Sequence, residues 1–149
     1  MYAEKVTYTD YNGNERTETL YFNLTKSEMM RMDLEMDGNL RDYLIRISES
    51  KNGKEIMEMF DKVLRLAYGI KSDDGKRFMK SDDIYRAFTE TEAYNEFFFK
   101  LVTDAAYAGK FIDGVVSEGL KNISIDGLNQ AGLRVVDGEN TQVVDPSNS

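Results

Sequence analysis

The residues best placed to do chemistry lie at 69–83, GIKSDDGKRFMKSDD. Two glycines followed by Lys76 and Arg77 suggest a loop that wraps a phosphate. The spacing argues against it. A phosphate-binding loop has four residues between its glycines, then Lys with Ser or Thr. Here five intervene, Ile70 to Asp74, and Arg77 follows Lys76. Such a loop also joins a strand to a helix, whereas the periodicity upstream predicts a helix before Gly69. Asp73 and Asp74 would repel phosphate. The segment reads as a solvated loop turning at Asp74-Gly75. Asp10, Asn12 and Asn14 match the first three calcium-ligand positions of an EF-hand, but the required glycine falls on Glu15 and the bidentate glutamate on Tyr21. A hairpin turn is expected there instead. Glu90, Glu92 and Glu96 offer carboxylates, yet acids at a helix start are ordinary compensation of the helix dipole. The chain has no Cys and no His, so thiol nucleophiles, imidazole bases and the usual zinc ligands are absent. No catalytic residue, metal site or cofactor is assigned.

With chemistry so poorly provided for, the composition points to binding. The 149 residues carry a net charge of −8, with 41% hydrophobic and 31% charged residues. One domain and a real core are expected. The acidic balance disfavours nucleic acid and anionic membrane surfaces as partners. No apolar run approaches the ~20 residues of a membrane span. The polar start MYAEKVTYTD does not read as a signal peptide, so a cytosolic setting is expected.

The elements follow from pattern. Residues 5–24 predict a β-hairpin: Val6 and Tyr8 alternate with Thr7 and Thr9, Asn12-Gly13 turns, and Leu20 and Phe22 alternate with Tyr21. Thr25-x-x-Glu28 is a capping box, with Leu24 and Met29 at the positions of a hydrophobic staple. Helices are expected at about 26–37, 39–50 and 54–68, the last with the stripe Ile56, Met59, Phe60, Val63 and Ala67, and Gly69 as its C′ residue. Residues 70–80 read as a loop. Ser81 caps a short helix with Ile84, Tyr85 and Phe88. Thr89-x-x-Glu92 reads as a second capping box, opening a helix with Tyr94, Phe97, Phe98, Leu101 and Val102 on one side. A last helix, about 104–116, carries Ala108, Phe111, Ile112 and Val115. The fold class is mainly α (α+β): an N-terminal hairpin followed by five or six short helices. Residues 1–116 form the domain. Residues 117–149, glycine-rich, without an aromatic and holding the only proline, read as a flexible tail.

Some apolar residues exceed what a core-facing stripe needs. Met29, Met32 and Met36 share one face of the first helix, while Met30 and Leu34 fall roughly opposite. Burial under the hairpin would account for them. So would an adaptable contact surface, because flexible thioethers suit varied partners. Phe99 falls outside the Tyr94/Phe97/Leu101 face, and wrap-around burial is the alternative there. Met30, Leu34 and Phe99 are therefore the candidate partner-binding residues.

The sequence resembles the tail assembly chaperones of long-tailed, noncontractile (siphovirus-type) bacteriophages. The resemblance is carried by KVTYTDYNGNERTETLYFNLTKSEMMRMDLE at 5–35, LRLAYGIKSDDGKRFMKSDDIYRAF at 64–88 and TEAYNEFFFKLVTDAAYAGKFIDGVV at 91–116, with AYG-x-KS-x-DG-x-RF-x-KS its most specific part. The resemblance implies a non-enzymatic helper that binds the tape measure protein, keeps it soluble and helps recruit tail tube subunits, with self-association left open. It implies action in the cytoplasm of the infected host and absence from the mature virion. Many relatives are made in two lengths by a ribosomal frameshift, and this chain looks like the shorter form or like the part common to both. The tail from 117 is not expected to belong to the pattern.

Two other classes compete. A small acidic binding or inhibitor protein, of the immunity or nucleic-acid-mimic kind, predicts one continuous carboxylate patch, whereas Lys and Arg are interleaved through residues 1–110. An enzyme using carboxylates and Tyr predicts a deep pocket with raised carboxyl pKa values.

Overall fold

A computed structural model describes residues 1–35 and 40–120. The expected hairpin is strands β1 (Tyr2–Thr9) and β2 (Glu15–Phe22), paired antiparallel from Tyr2↔Phe22 to Thr9↔Glu15. Gly13, at φ +86°, supplies the left-handed turn residue that Asn12-Gly13 announces. Three helices follow: α1 (Lys26–Glu35), α2 (Leu40–Ser48) and α3 (Gly53–Ala67). The capping box of α1 is complete. Thr25 Oγ1 accepts from Glu28 N–H at 3.2 Å, and Glu28 Oε1 accepts from Thr25 N–H at 2.9 Å. Leu24 and Met29 are both buried beside it, as a staple requires.

The stretch expected to be a loop holds two more strands. These are β3 (Tyr68–Lys71) and β4 (Phe78–Met79), which extend the hairpin into a four-stranded sheet of order β1-β2-β3-β4. Tyr21↔Gly69 and Phe22↔Tyr68 make the junction. Gly69 therefore lies inside a strand and not at a helix C′ position. Its lack of a side chain serves packing: a Cβ there would lie 2.5 Å from the Phe78 ring and 2.8 Å from the Met79 carbonyl oxygen.

Helices α4 (Asp82–Thr89), α5 (Glu92–Thr103) and α6 (Ala105–Leu120) complete six helices among the described residues. Ser81 Oγ caps α4 by accepting from Ile84 N–H at 3.1 Å. The cap of α5 is Thr91 and not Thr89: Thr91 Oγ1 accepts from Tyr94 N–H at 3.1 Å. Thr89 is already the last residue of α4, where its hydroxyl donates to the Arg86 carbonyl at 2.7 Å. Helix α6 continues past Val116 to Leu120, into the segment expected to be tail. Residues 121–149 lie outside the described residues, as does Met36.

The core lies between the sheet's inner face and the helices. Phe22 is its centre, with ring centroids 5.4 Å from Phe97, 5.2 Å from Phe111 and 5.8 Å from Tyr68. The expected stripes face it: Phe60, Val63 and Ala67 of α3, Phe97 and Leu101 of α5, and Ala108, Phe111, Ile112 and Val115 of α6 are all buried, and so is Leu64, which the expected stripe did not include. Helix α1 sets Met29 and Met32 into this core and packs against α6.

Candidate partner-binding surface

The most specific sequence motif turns out to build the fold. Tyr68 stacks on Phe88 with centroids 3.9 Å apart. Ser72 N–H donates to the Arg77 carbonyl at 2.9 Å and closes the β3–β4 turn. Within that turn Gly75 N–H bonds the Ser72 carbonyl, Lys76 N–H bonds Asp74 Oδ1 and Arg77 N–H bonds Ser72 Oγ. These amides are the ones a phosphate would need, and the turn already uses them. The expected helix, α3, ends at Ala67 just before Gly69; the turn itself lies between two short strands, β3 and β4, and no helix follows it directly. The Lys76 amide and the Ser72 hydroxyl hold the Asp74 carboxyl below the usual range. Further on, Lys80 Nζ donates to Glu28 Oε1 at 2.6 Å, the Leu66 carbonyl at 2.7 Å and the Asn23 carbonyl at 2.9 Å. It thus ties α1, the end of α3 and the strand leaving β2 together.

The other chemical candidates are structural too. Asp10 Oδ1 accepts from the Asn12 and Asn14 amides, both at 2.9 Å, and Oδ2 accepts from Arg16 Nε. The Arg16 guanidinium, then those amides, hold its carboxyl below the usual range. No cluster of metal-ligating side chains occurs among the described residues. Glu4 accepts from two phenols, Tyr2 at 2.8 Å and Tyr107 at 2.9 Å. Burial, then bonding to Glu4, pushes both phenols well above the usual tyrosine range, which makes them reluctant acids.

What remains for recognition is apolar surface. Phe99 is 67% exposed, so wrap-around burial does not account for it. Met30 is half-buried, on the side of α1 away from the buried Met29 and Met32, as the wheel predicts. Leu34 lies in α1, with its side chain outside the described residues. Met30 and Phe99 stand on different helices, α1 and α5, both of which pack on α6. Sequence reasoning missed Met57, Ile70 and Tyr11, all exposed. Met57 was within reach, because it falls off the Ile56/Met59/Phe60/Val63 stripe. A groove of about 260 Å³ between α1 and α3 is lined by Glu28, Arg31, Met32, Lys62, Arg65 and Leu66. No helix is long and apolar enough to cross a membrane among the described residues.

Basic side chains sit among the acids throughout, as in Arg16–Asp10, Lys54–Glu58, Arg86–Asp83 and Arg41–Asp113. The described surface is thus cation-broken acidity with a few exposed apolar side chains. In a comparison with known families, a family model described as phage tail assembly chaperone matches residues 1–145. The chain belongs to the phage tail assembly chaperone family. The match runs well past Val116, so most of the segment expected to lie outside the pattern is inside it. No curated protein and no solved structure matches the chain. Membership in a chaperone family implies a non-enzymatic role and partners among phage tail proteins.

Proposed function

We propose that this chaperone binds the tape measure protein, keeps that long apolar helix soluble and helps recruit tail tube subunits around it. It acts in the cytoplasm of the infected host and is left out of the finished virion. The observation that carries the reading is Phe99, held out to solvent on a helix whose other aromatic residues are packed. A large exposed ring on a rigid helix suits docking of an apolar helix by its i, i+3, i+4 anchors. Met30 and Leu34 on α1 supply a second, adaptable contact. Because the two contacts lie on different helices, a long partner helix can touch both in succession.

Co-expression with the cognate tape measure protein tests this. The parent chain keeps the partner in the soluble fraction. Phe99→Asp, and separately Met30→Asp with Leu34→Asp, fold but lose that effect. Folded variants that solubilise the partner as well as the parent does would show the chosen surface to be wrong. Failure of the parent itself would remove the tape measure protein as partner.

A further inference from the structure

The groove between α1 and α3 carries positive charge in an acidic chain. Met32 and Leu66 give it apolar surface, and Arg31, Lys62 and Arg65 set three cations beside them. The one acid of its lining, Glu28, is already held by Lys80 at 2.6 Å. Arg31 is exposed and has no ion-pair partner among the described residues. Arg65 lies over the Tyr85 ring at 4.6 Å and reaches Asp61 only at 4.0 Å. A second groove, at Arg41, Val116 and Ser117, differs in containing its own counter-ion, Asp113. Surplus cations around apolar surface fit a short segment whose apolar side chains stand next to carboxylates.

We infer that residues 135–145 of the same chain dock in this groove. The segment is VVDGENTQVVD: Val-Val-Asp twice, Glu139 between, and no Lys or Arg. Its valines cover Met32 and Leu66, and Asp137, Glu139 and Asp145 face the cations. Residues 121–134 do not match in this way, since they set Lys121 and Arg134 against Asp126 alone. Position selects the segment over an unlinked partner. Helix α6 ends at Leu120, and a Cβ on Gly119 would lie 2.7 Å from the Met29 sulfur, so the chain leaves its last described helix against α1. Met29 stands between Glu28 and Met32, both in the lining of the groove. Fourteen residues, 121–134, then separate Leu120 from Val135. Their reach when extended is about 50 Å, far more than a turn of α1 requires. A tether of that length presents the segment at an effective concentration of about 1 mM, which an unlinked peptide of like chemistry does not reach. The family model also ends at residue 145, the close of the second Val-Val-Asp, so one family pattern takes in both the segment and the groove. The docking leaves Phe99 untouched and stands independently of tape measure binding.

Paramagnetic broadening in the full chain is the test. The chain has no Cys, so Thr141→Cys gives a single site for a nitroxide between the two Val-Val-Asp units. The expected result is broadening of the amides of residues 28–32 and 62–66 beyond that of other exposed amides. Asp137→Lys with Asp145→Lys alters no described residue and abolishes that excess. Arg31→Glu with Lys62→Glu abolishes it from the side of the groove, and joining the two pairs of reversals restores it. Circular dichroism follows the fold throughout; should the groove variant unfold, the segment variant decides. Mixing isotope-labelled chains that lack the nitroxide with nitroxide chains that lack the isotope gives no broadening, because the contact is made within one chain. A parent without the excess at the groove overturns the proposal. So does an excess that survives the segment reversals, one that passes between chains in the mixture, or a folded double reversal that fails to restore it.

Discussion

Lys76 and Lys80 lie within one motif and have opposite fates. Lys76 is exposed on a turn, and its amide does more than its ammonium. Lys80 is drawn inward until its side chain is 18% exposed, with three oxygens around the nitrogen. Truncating it strands the Glu28 carboxylate and two carbonyls in a half-buried place. Lys80→Ala is therefore expected to lower unfolding free energy by about 2–3 kcal/mol, and Lys76→Ala to change it hardly at all, both measured by urea denaturation. Sequence reading at this scale succeeded where partners are local. The Thr25/Glu28 box spans one helical turn, and both halves of it formed. The role of Lys80 was hidden because Asn23, Glu28 and Leu66 are brought to it only by the folded chain. Phe99 was legible as a misfit on its helix, though nothing in the sequence could say whether the misfit was covered.

Among the elements, the long periodic helices were plain from sequence and the short strands were not. Helix α3 shows why the first kind is readable: its stripe repeats over several turns, and one face must find a core. Phe60, at the middle of that stripe, is fully buried with its ring 6.5 Å from that of Phe111. Phe60→Ala should cost roughly 3–5 kcal/mol and lower the melting temperature clearly; an unchanged value would mean that α3 is misplaced. Strands β3 and β4 have four and two residues and no alternation long enough to register as strand. β3 forms because β2, far back in the chain, offers Tyr21 and Phe22 for pairing, and β4 because β3 then offers Ile70 and Lys71. Thr89 and Thr91 show the same limit at a boundary. Both precede an acidic residue near a helix start, and only the end of α4 decides which is free to cap α5.

For the whole molecule, the tyrosines set a limit on the alkaline side. Burial raises the proton affinity of Tyr2, Tyr85 and Tyr107 above that of an unfolded phenol, with bonds to Glu4 and Asp61 adding to it. The folded chain thus holds those protons more tightly than the unfolded one. Their contribution is whole below about pH 10 and drains away as pH rises through the higher folded values. Thermal melts should lose stability steeply above about pH 10, and Tyr2→Phe with Tyr107→Phe should make that decline shallower. The contacts that close the fold also join the first described strand to the last described helix. The amino group of Met1 reaches Glu118 at 3.2 Å, and the Tyr2 ring meets Phe111 at 5.6 Å. Synthesis runs in the opposite sense, since β1 and β2 leave the ribosome well before α6. The inner face of the hairpin, with Leu20 and Phe22, therefore waits uncovered while all the chain between them is made. This tail assembly chaperone is itself, for the length of its own translation, a nascent chain with an apolar sheet face in search of cover.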